Sequence, residues 1–159
     1  MRRIDIGAGR KPRANYDAYI DVYEPRWVKE QPEFGKKFVL TGAEDLSMFG
    51  NKEFDFAMCH HVIEHVQDPA MACSEMCRIA KEGILYFPTV ELDILIGRPD
   101  HRWLVFPDYR RNHLLFIRKR FKSYYGRHQH QLPPGVRPWT GLQQKPFEWK
   151  GEFKWTVVW

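Results

Sequence analysis

The stretch Arg3-Ile-Asp-Ile-Gly-Ala-Gly9, followed by Tyr19-Ile-Asp-Val-Tyr-Glu24, decides the fold. Ile4 and Ile6 predict a short buried strand that runs into a turn with almost no side chains. The second stretch predicts another apolar strand, which ends on the carboxylate of Asp21. Glycines let main-chain N–H groups approach a ligand closely, and a carboxylate after the second strand can accept hydrogen bonds from both hydroxyls of a ribose. The pair therefore favours a nucleoside-type ligand.

The glycine turn alone is a weak signal, because an ordinary tight turn has the same letters. The dinucleotide fingerprint would place its third glycine at position 12, which is Pro12. A pyrophosphate on a helix N-terminus is therefore disfavoured. A ligand with ribose and adenine but no phosphates fits better, and S-adenosylmethionine is the commonest such ligand.

Along the first 88 residues, predicted strands alternate with helices or loops. The five strands are Ile4–Ile6, Tyr19–Val22, Lys37–Leu40, Phe54–Met58 and Ile84–Phe87. The predicted helices in this stretch are Arg26–Lys29 and a helix that begins at Asp68-Pro69 and is closed by Gly83. A further short helix is predicted after it, at Glu91–Ile96. About a dozen residues separate the first two strands, too few for a full crossover helix. This order predicts an α/β fold, a Rossmann-like doubly wound and mostly parallel sheet, with its ligand at the carboxyl ends of the strands.

The last third differs in composition and charge. Residues 1–100 hold 13 Lys and Arg against 17 Asp and Glu, net −4, whereas residues 101–159 hold 12 against 3, net +9. We predict a basic amphipathic helix over Asp108–Tyr125, a long loop or flexible insert over 127–146, and a C-terminal antiparallel strand or hairpin over 147–158 that turns at Lys150-Gly151.

This basic third predicts an acidic partner, nucleic acid among them, although a solvated basic face without a partner is an equal alternative. Its basic and aromatic residues are typical of single-strand nucleic-acid binding. They are Arg110–Lys122 with Tyr124, Tyr125, Trp139 and Trp149.

Composition bounds the remaining possibilities. The 159 residues predict one domain, with 1–106 as a ligand-binding core and 107–159 as a basic, aromatic-rich part. No apolar run is long enough for a membrane span, and a predicted strand within the first residues leaves no room for a signal peptide. Three cysteines, Cys59, Cys73 and Cys77, do not form a disulfide framework, which favours a reducing, cytoplasmic compartment.

Several ordered segments over residues 3–106 resemble the small class I S-adenosylmethionine-dependent methyltransferases, in the subgroup with a shortened first helix. Asp5-Ile-Gly-Ala-Gly9 resembles their first motif, and Asp21 falls at the ribose-binding acidic position. Gly42-Ala-Glu-Asp-Leu46 is similar to their adenine loop, with Gly42 in place of the usual Asp. Phe54-Asp-Phe, Val62-Ile-Glu-His-Val66 and Asp68-Pro69 are similar to the fourth-strand segment, and Glu75–Gly83 resembles the helix and turn that follow.

The resemblance implies an S-adenosyl-L-methionine site and a methyl transferase activity. The implied cofactor-binding residues are Asp5, Gly7, Ala8, Gly9, Asp21, Val22, Ala43, Glu44, Cys59 and His60. Methyl transfer is an in-line displacement on an activated donor, so the protein mainly supplies alignment and a base where the acceptor loses a proton. We predict His60, His61 and His101 at the acceptor side; which of them is the base is left open, and so is the acceptor, a small molecule or a nucleic acid.

His61-Val-Ile-Glu-His65 supports two further hypotheses. On a helix, His61 and His65 would share a face and bind zinc with Glu64 as base, as in an inverted zinc-protease pattern. Alternatively, His61, Glu64, His65 and His101 hold a divalent ion that polarises an acceptor hydroxyl, similar to methyltransferases with Glu-x-x-Glu-His at this place. If the chain is not a methyltransferase, the alternatives are a catalytically inactive nucleic-acid-binding module that keeps the fold and the zinc hydrolase described above.

Overall fold

A computed structural model describes residues 1–96, 98–120 and 145–159. Its elements are β1 (Arg3–Ile6), β2 (Ala18–Asp21), α1 (Trp27–Glu30), α2 (Pro32–Gly35), β3 (Phe38–Leu40), β4 (Phe54–His60), α3 (Pro69–Ile79), β5 (Ala80–Tyr86), α4 (Val90–Ile96), β6 (Trp103–Asp108), β7 (His113–Arg118), β8 (Phe147–Lys150) and β9 (Lys154–Val158). None of the helices in these ranges combines the length and hydropathy that a membrane span requires.

The main sheet has six strands in the order β3-β2-β1-β4-β5-β8. The strands β1 to β5 are parallel, and β8 lies antiparallel to β5. The predicted Rossmann-like, mostly parallel sheet is confirmed. The chain leaves β1 toward one edge and returns to β4 on the other side of β1, so the strand order reverses between these two strands. Ligands bind at such a reversal, beyond the carboxyl ends of the strands.

One face of this sheet contributes to the main hydrophobic core. Ile4 and Ile6 of β1, Cys59 of β4 and Leu85 of β5 are buried there, together with residues of α3. The same core includes Trp103 and other residues of a second sheet, which has three strands in the order β6-β7-β9. Burial of one continuous apolar core thus joins the two sheets, and it fixes the ends of β1 and β4 beside each other.

The opposite face carries a smaller aromatic cluster built around Tyr19 and Trp27. No helix connects β1 to β2, as the sequence predicted for this described part of the chain. The connecting loop is anchored instead by polar contacts. The Arg13 guanidinium pairs with both oxygens of Asp5 at 2.7 and 2.8 Å, and the Tyr19 hydroxyl donates to the carbonyl oxygen of Arg13 at 2.6 Å. Side chains therefore cover a sheet face on which a crossover helix would otherwise pack.

The helix α3 begins as predicted and ends earlier. The Asp68 carboxylate accepts hydrogen bonds from the N–H groups of Ala70 and Met71, and Pro69 occupies the first turn. Ala80 already has extended backbone, so the prediction that Gly83 closes this helix is wrong. Gly83 lies within β5, where a Cβ would overlap the indole of Trp149. This glycine is required for close packing between strands rather than for a turn.

The predicted helix over 108–125 is wrong in its described part. Residues up to Asp108 belong to β6, His113–Arg118 form β7, and residues 121–125 lie outside the described ranges. The Asp108 carboxylate accepts from the N–H groups of Arg110 and Arg111, a pattern shared by helix caps and turns. Leu114 and Phe116 are buried and alternate with half-buried neighbours. Pairing with β6 and β9 on either side selects the strand period.

The predicted hairpin at Lys150-Gly151 is also wrong, although both flanking segments are strands. β8 pairs with β5 in the main sheet, as the predicted antiparallel strand does, whereas β9 pairs in parallel with β7 in the second sheet. Gly151, with φ +75°, lies at the bend between them. Phe153 packs against the rings of Phe147 and Trp149, at centroid distances of 5.4 and 5.3 Å, and so holds the corner.

The remaining boundaries shift by a few residues. The single helix predicted at Arg26–Lys29 is observed as two short helices, α1 and α2, because Pro32 begins a new turn. β4 continues through Cys59 to His60, and β5 begins at Ala80. Of the insert predicted at 127–146, residues 127–144 lie outside the described part of the chain. The division into a core and a basic part stays a prediction.

Candidate active site

A cavity of about 590 Å³ lies at the carboxyl ends of β1, β2 and β4. It is lined by the turn after β1, the end of β2, the loop 41–44, residues 60–62 and 65–67 after β4, and Arg98, Asp100 and Arg102. Its size is within the range of small-molecule sites. The strand order places the cavity at the reversal point between β1 and β4, which the alternation of elements predicted.

The turn after β1 depends on two glycines with left-handed backbone, Gly7 at φ +80° and Gly9 at φ +63°. A Cβ on Gly7 would overlap the Val62 side chain. The N–H groups of Gly7 and Ala8 donate to the Ile20 carbonyl oxygen, at 2.9 and 3.0 Å, and that of Gly9 donates to Asp21 at 2.9 Å. The turn therefore ties β1 to β2, and its glycines provide a close main-chain wall rather than free donors.

Asp21 ends β2 and lines the cavity. Its Oδ2 accepts from the Gly9 N–H at 2.9 Å, and its Oδ1 accepts from the Tyr23 N–H at 3.2 Å. A carboxylate has about four acceptor positions. Each oxygen can therefore accept one more hydrogen bond, and the two main-chain bonds fix the orientation of the carboxylate.

Glu44 positions two cavity loops relative to each other. Its Oε1 accepts from the N–H groups of Gln67 and Asp68, at 2.7 and 2.8 Å, and thereby ties the loop 41–44 to the segment before α3. Ala43 is buried and lines the cavity beside it. Val22 also lines the cavity and is 60% exposed, so it offers an uncovered apolar surface next to Asp21.

Three of the predicted cofactor-binding residues do not line the cavity. Asp5 is fully buried and paired with Arg13; burial raises its pKa, and the Arg13 hydrogen bonds oppose that rise. Ala8 packs in the aromatic cluster of Tyr19 and Trp27. Cys59 is fully buried, and burial raises the pKa of its thiol. Their direct contact with a ligand stays a prediction, and the structure places them as support for the walls.

His60 and His61 both line the cavity, as predicted for the acceptor side. Their ring centroids are 4.6 Å apart, and the His60 ring also contacts Tyr86 at 5.0 Å. Burial, followed by the influence of His61, lowers the pKa of His60 to about 4, so this imidazole is neutral at neutral pH. His61 has left-handed backbone with φ +54°, a sparsely populated conformation that is enriched at functional sites.

His101 does not line the cavity. It is 9% exposed, and its Nδ1 lies 2.7 Å from the Asp93 Oδ1. Its ring contacts the ring of His65, which does line the cavity, at a centroid distance of 4.6 Å. Asp93 also contacts Lys119, whose Nζ lies 3.2 Å from the Asp93 carboxylate. Sequence reasoning missed both, because they come from α4 and the residue after β7 and follow no local pattern.

Residues 61–65 form a turn, so the helical zinc-protease arrangement of His61 and His65 is wrong. Glu64 is fully buried, and its Oε1 lies 3.0 Å from the His61 Nδ1. The basic and aromatic surface predicted for nucleic acid changes too. Trp149 is buried in β8, and Tyr124, Tyr125 and Trp139 lie outside the described residues. A partner for the basic third stays a prediction.

Comparison with known protein families gives a match. The family model described as a methyltransferase domain matches residues 17–87, from the approach to β2 to the end of β5. Over these residues the chain is similar to methyltransferase domains. No curated protein sequence matches it significantly. The matched residues include Asp21, the loop 41–44 and the segment after β4, so most of the cavity wall falls inside the family match.

Solved structures similar to this chain include three bacterial proteins. The YcgJ protein of Bacillus subtilis is 25% identical, with a TM-score of 0.46, and the match covers 55% of this chain and 44% of that one. A Thermotoga maritima protein described as an S-adenosylmethionine-dependent methyltransferase, possibly a histamine N-methyltransferase, is 27% identical, with a TM-score of 0.48 and coverages of 57% and 45%.

The third is a Burkholderia thailandensis 1,6-didemethyltoxoflavin-N1-methyltransferase with bound S-adenosylhomocysteine, 19% identical, with a TM-score of 0.40 and coverages of 65% and 48%. The matches span less than half the length of each of these three structures.

Proposed function

We propose that this chain binds S-adenosyl-L-methionine in the cavity and transfers its methyl group to an acceptor. The observation that carries the proposal is the convergence of Gly7, Gly9, Asp21 and the loop 41–44 on one cavity at the reversal point of the sheet. The methyltransferase-domain match supports it. We call the wall from Gly7 to Glu44 the donor side and the wall from His60 to Arg102 the acceptor side.

On the donor side, Asp21 would accept hydrogen bonds from the two ribose hydroxyls. Its carboxylate is held by the N–H groups of Gly9 and Tyr23 and retains one acceptor position on each oxygen. Val22 and Ala43 supply apolar surface beside it for the adenine ring. The bare main chain at Gly7 and Gly9 leaves room for the rest of the donor to pass across the end of β1.

The reaction proposed is an in-line displacement. A lone pair on the acceptor atom forms the bond to the methyl carbon while the carbon–sulfur bond breaks, and the sulfur keeps that electron pair as the neutral thioether. An acceptor hydroxyl or amine also loses a proton. Alignment supplies most of the acceleration in such a reaction. On the acceptor side, His60 is held neutral by burial, so it can line the acceptor pocket without placing a positive charge beside the sulfonium.

Calorimetry with S-adenosylhomocysteine tests the donor site. Asp21→Ala should weaken its binding by more than about tenfold, because two hydrogen bonds to a charged acceptor are lost. Glu24→Ala is a matched control, because this exposed carboxylate follows the same strand but does not line the cavity. Its Oε1 lies 3.9 Å from the Lys29 Nζ. The control should bind as tightly as the unchanged protein.

Equal affinity of both variants would contradict the assigned ribose site, and absence of any binding by the unchanged protein would contradict the donor. If binding is found, incubation with radiolabelled donor and separate pools of phenols, RNA and protein identifies the acceptor class. The RNA arm also tests the basic C-terminal third as an interface, since RNA affinity carried by that charge should fall steeply with added salt.

A further inference from the structure

Three side chains with metal-ligating atoms meet behind the acceptor side of the cavity. Glu64, His65 and His101 each offer one such atom, and these atoms lie within 4.8 Å of one another. His65 lines the cavity, whereas Glu64 and His101 lie deeper. The cluster differs from the hypothesis drawn from the sequence spacing, because His61 contacts Glu64 from the side and is not part of the cluster.

The Glu64 carboxylate is the first reason to infer a ligand here. It is fully buried, and while its Oε1 lies 3.0 Å from the His61 Nδ1, its Oε2 has no hydrogen-bond partner among the described residues. Burying a charged oxygen without a partner costs free energy. A cation bound to Oε2 would offset that cost, and the His61 contact would hold the carboxylate in place.

Within the described residues, each of the two histidines has a hydrogen-bond partner on Nδ1 and none on Nε2. The His101 Nδ1 lies 2.7 Å from the Asp93 Oδ1, and the His65 Nδ1 lies 3.3 Å from the Asp100 carbonyl oxygen. Both partners are acceptors, so each Nδ1 must carry the hydrogen, and in a neutral imidazole the Nε2 then keeps its lone pair. Metal-binding histidines are oriented by such a second partner on the opposite ring nitrogen.

A buried ion pair lies beside the cluster. Asp93 is buried with His101, and the Lys119 Nζ lies 3.2 Å from the same carboxylate, so the two charges largely compensate each other. The cluster therefore combines one carboxylate, whose Oε2 has no hydrogen-bond partner among the described residues, with two imidazoles.

We propose that Glu64, His65 and His101 bind a divalent transition-metal ion. Two imidazoles and one carboxylate suit zinc, cobalt, iron or manganese better than magnesium or calcium, which prefer oxygen ligands. Three protein ligands leave further coordination positions open. His65 lies in the cavity wall, so an acceptor oxygen can reach those positions; this last role, polarising an acceptor hydroxyl, rests on the proposed methyl transfer.

Titration of the chelator-treated full chain with Co²⁺ tests the site, read by its visible absorption bands and by calorimetry. We expect one ion per chain. Glu64→Gln and His65→Ala should each weaken Co²⁺ binding by at least about a hundredfold. Asp93 orients His101 without being a ligand itself, so Asp93→Asn should weaken Co²⁺ binding by about tenfold to a hundredfold. His113→Ala is the control, since this histidine lies in β7 and contacts Thr156. Its affinity should match that of the unchanged protein.

Thermal unfolding of each metal-free variant shows whether it folds. His65 is partly exposed, so its replacement keeps the test valid if Glu64→Gln does not fold. Absence of Co²⁺ bands in the unchanged protein, or equal Co²⁺ affinity in folded His65→Ala, would overturn the metal site. S-adenosylhomocysteine binding, measured without metal, separates the two proposals: its presence without Co²⁺ binding rejects the metal site alone, and the reverse rejects the methyl donor alone.

Discussion

The donor side of the cavity is built largely from main chain, whereas the acceptor side is built from titratable side chains that come from distant parts of the sequence. On the donor side, the amides of Gly7, Ala8 and Gly9 bind the end of β2 directly. On the acceptor side, His65 contacts His101 from 36 residues away, and His101 depends in turn on Asp93. The donor side is fixed by backbone conformation and by two carboxylates, Asp21 and Glu44, that accept main-chain hydrogen bonds. The acceptor side is fixed by contacts between side chains.

This difference predicts how each side fails when it is altered. A main-chain wall tolerates no added atom where the backbone is left-handed and a neighbour is close, but it is indifferent to pH. A wall of imidazoles tolerates changes in size more easily and responds to protons. Substitutions on the donor side should therefore change stability and nucleoside binding together, and those on the acceptor side should change pH dependence.

The largest effect is expected from Gly7→Ala. The new methyl group would occupy left-handed backbone and overlap the Val62 side chain, so the free energy of unfolding should fall by about 3 kcal/mol. S-adenosylhomocysteine binding should weaken together with it. Urea unfolding and calorimetry measure the two quantities on the same sample.

Gly9→Ala provides the matched comparison. Its φ is +63°, but the nearest atom to a new Cβ is the Gly7 carbonyl oxygen at 3.9 Å, so only the backbone cost of about 1 kcal/mol is expected. Equal destabilisation by the two variants would show that the contact with Val62 contributes nothing. The donor side would then be less tightly enclosed than the structure indicates.

An effect between those of Gly7→Ala and Gly9→Ala should follow from Arg13→Met, which removes the partner of a fully buried carboxylate beneath the donor side. Unpairing a buried ion is destabilising, and because the Arg13 side chain is 34% exposed we expect a loss of about 2 kcal/mol in the free energy of unfolding. Asp5→Asn in the same chain removes the unpaired charge and should restore part of that loss. If the double variant is no more stable than Arg13→Met, the ion pair does not anchor this loop.

The same contrast explains what the sequence could predict. Asp68 acts through the residues next to it, and the places of Gly7 and Asp21 at the ends of β1 and β2 follow from the order of strands. Helix α3 begins where its cap residue predicts for the same reason. The lack of a crossover helix before β2 follows from chain length alone.

The errors arose where long-range pairing decides between two local possibilities. Asp108 bonds to the amides that follow it in a turn just as it would at a helix start, and only the pairing of β7 with β6 and β9 selects the strand. Asp93 and Lys119 could not be found from the sequence, since their importance lies in contacts with His101 that no spacing reveals.

The smallest expected effect, and the one specific to the acceptor side, is a pH dependence caused by His60. Its pKa is lowered by burial from 6.5 to about 4 in the folded protein, so between these values the unfolded chain binds a proton that the folded chain does not. Stability should therefore fall as pH decreases through this window and should be independent of His60 above it. Urea unfolding at several pH values should show a shallower decline for His60→Gln, while Gly9→Ala should keep the slope of the unchanged protein. An NMR titration in which the His60 ring protonates near its ordinary pKa would contradict this prediction. The imidazole would then carry a positive charge beside the proposed sulfonium at mildly acidic pH, and burial would not be what keeps this part of the acceptor side uncharged.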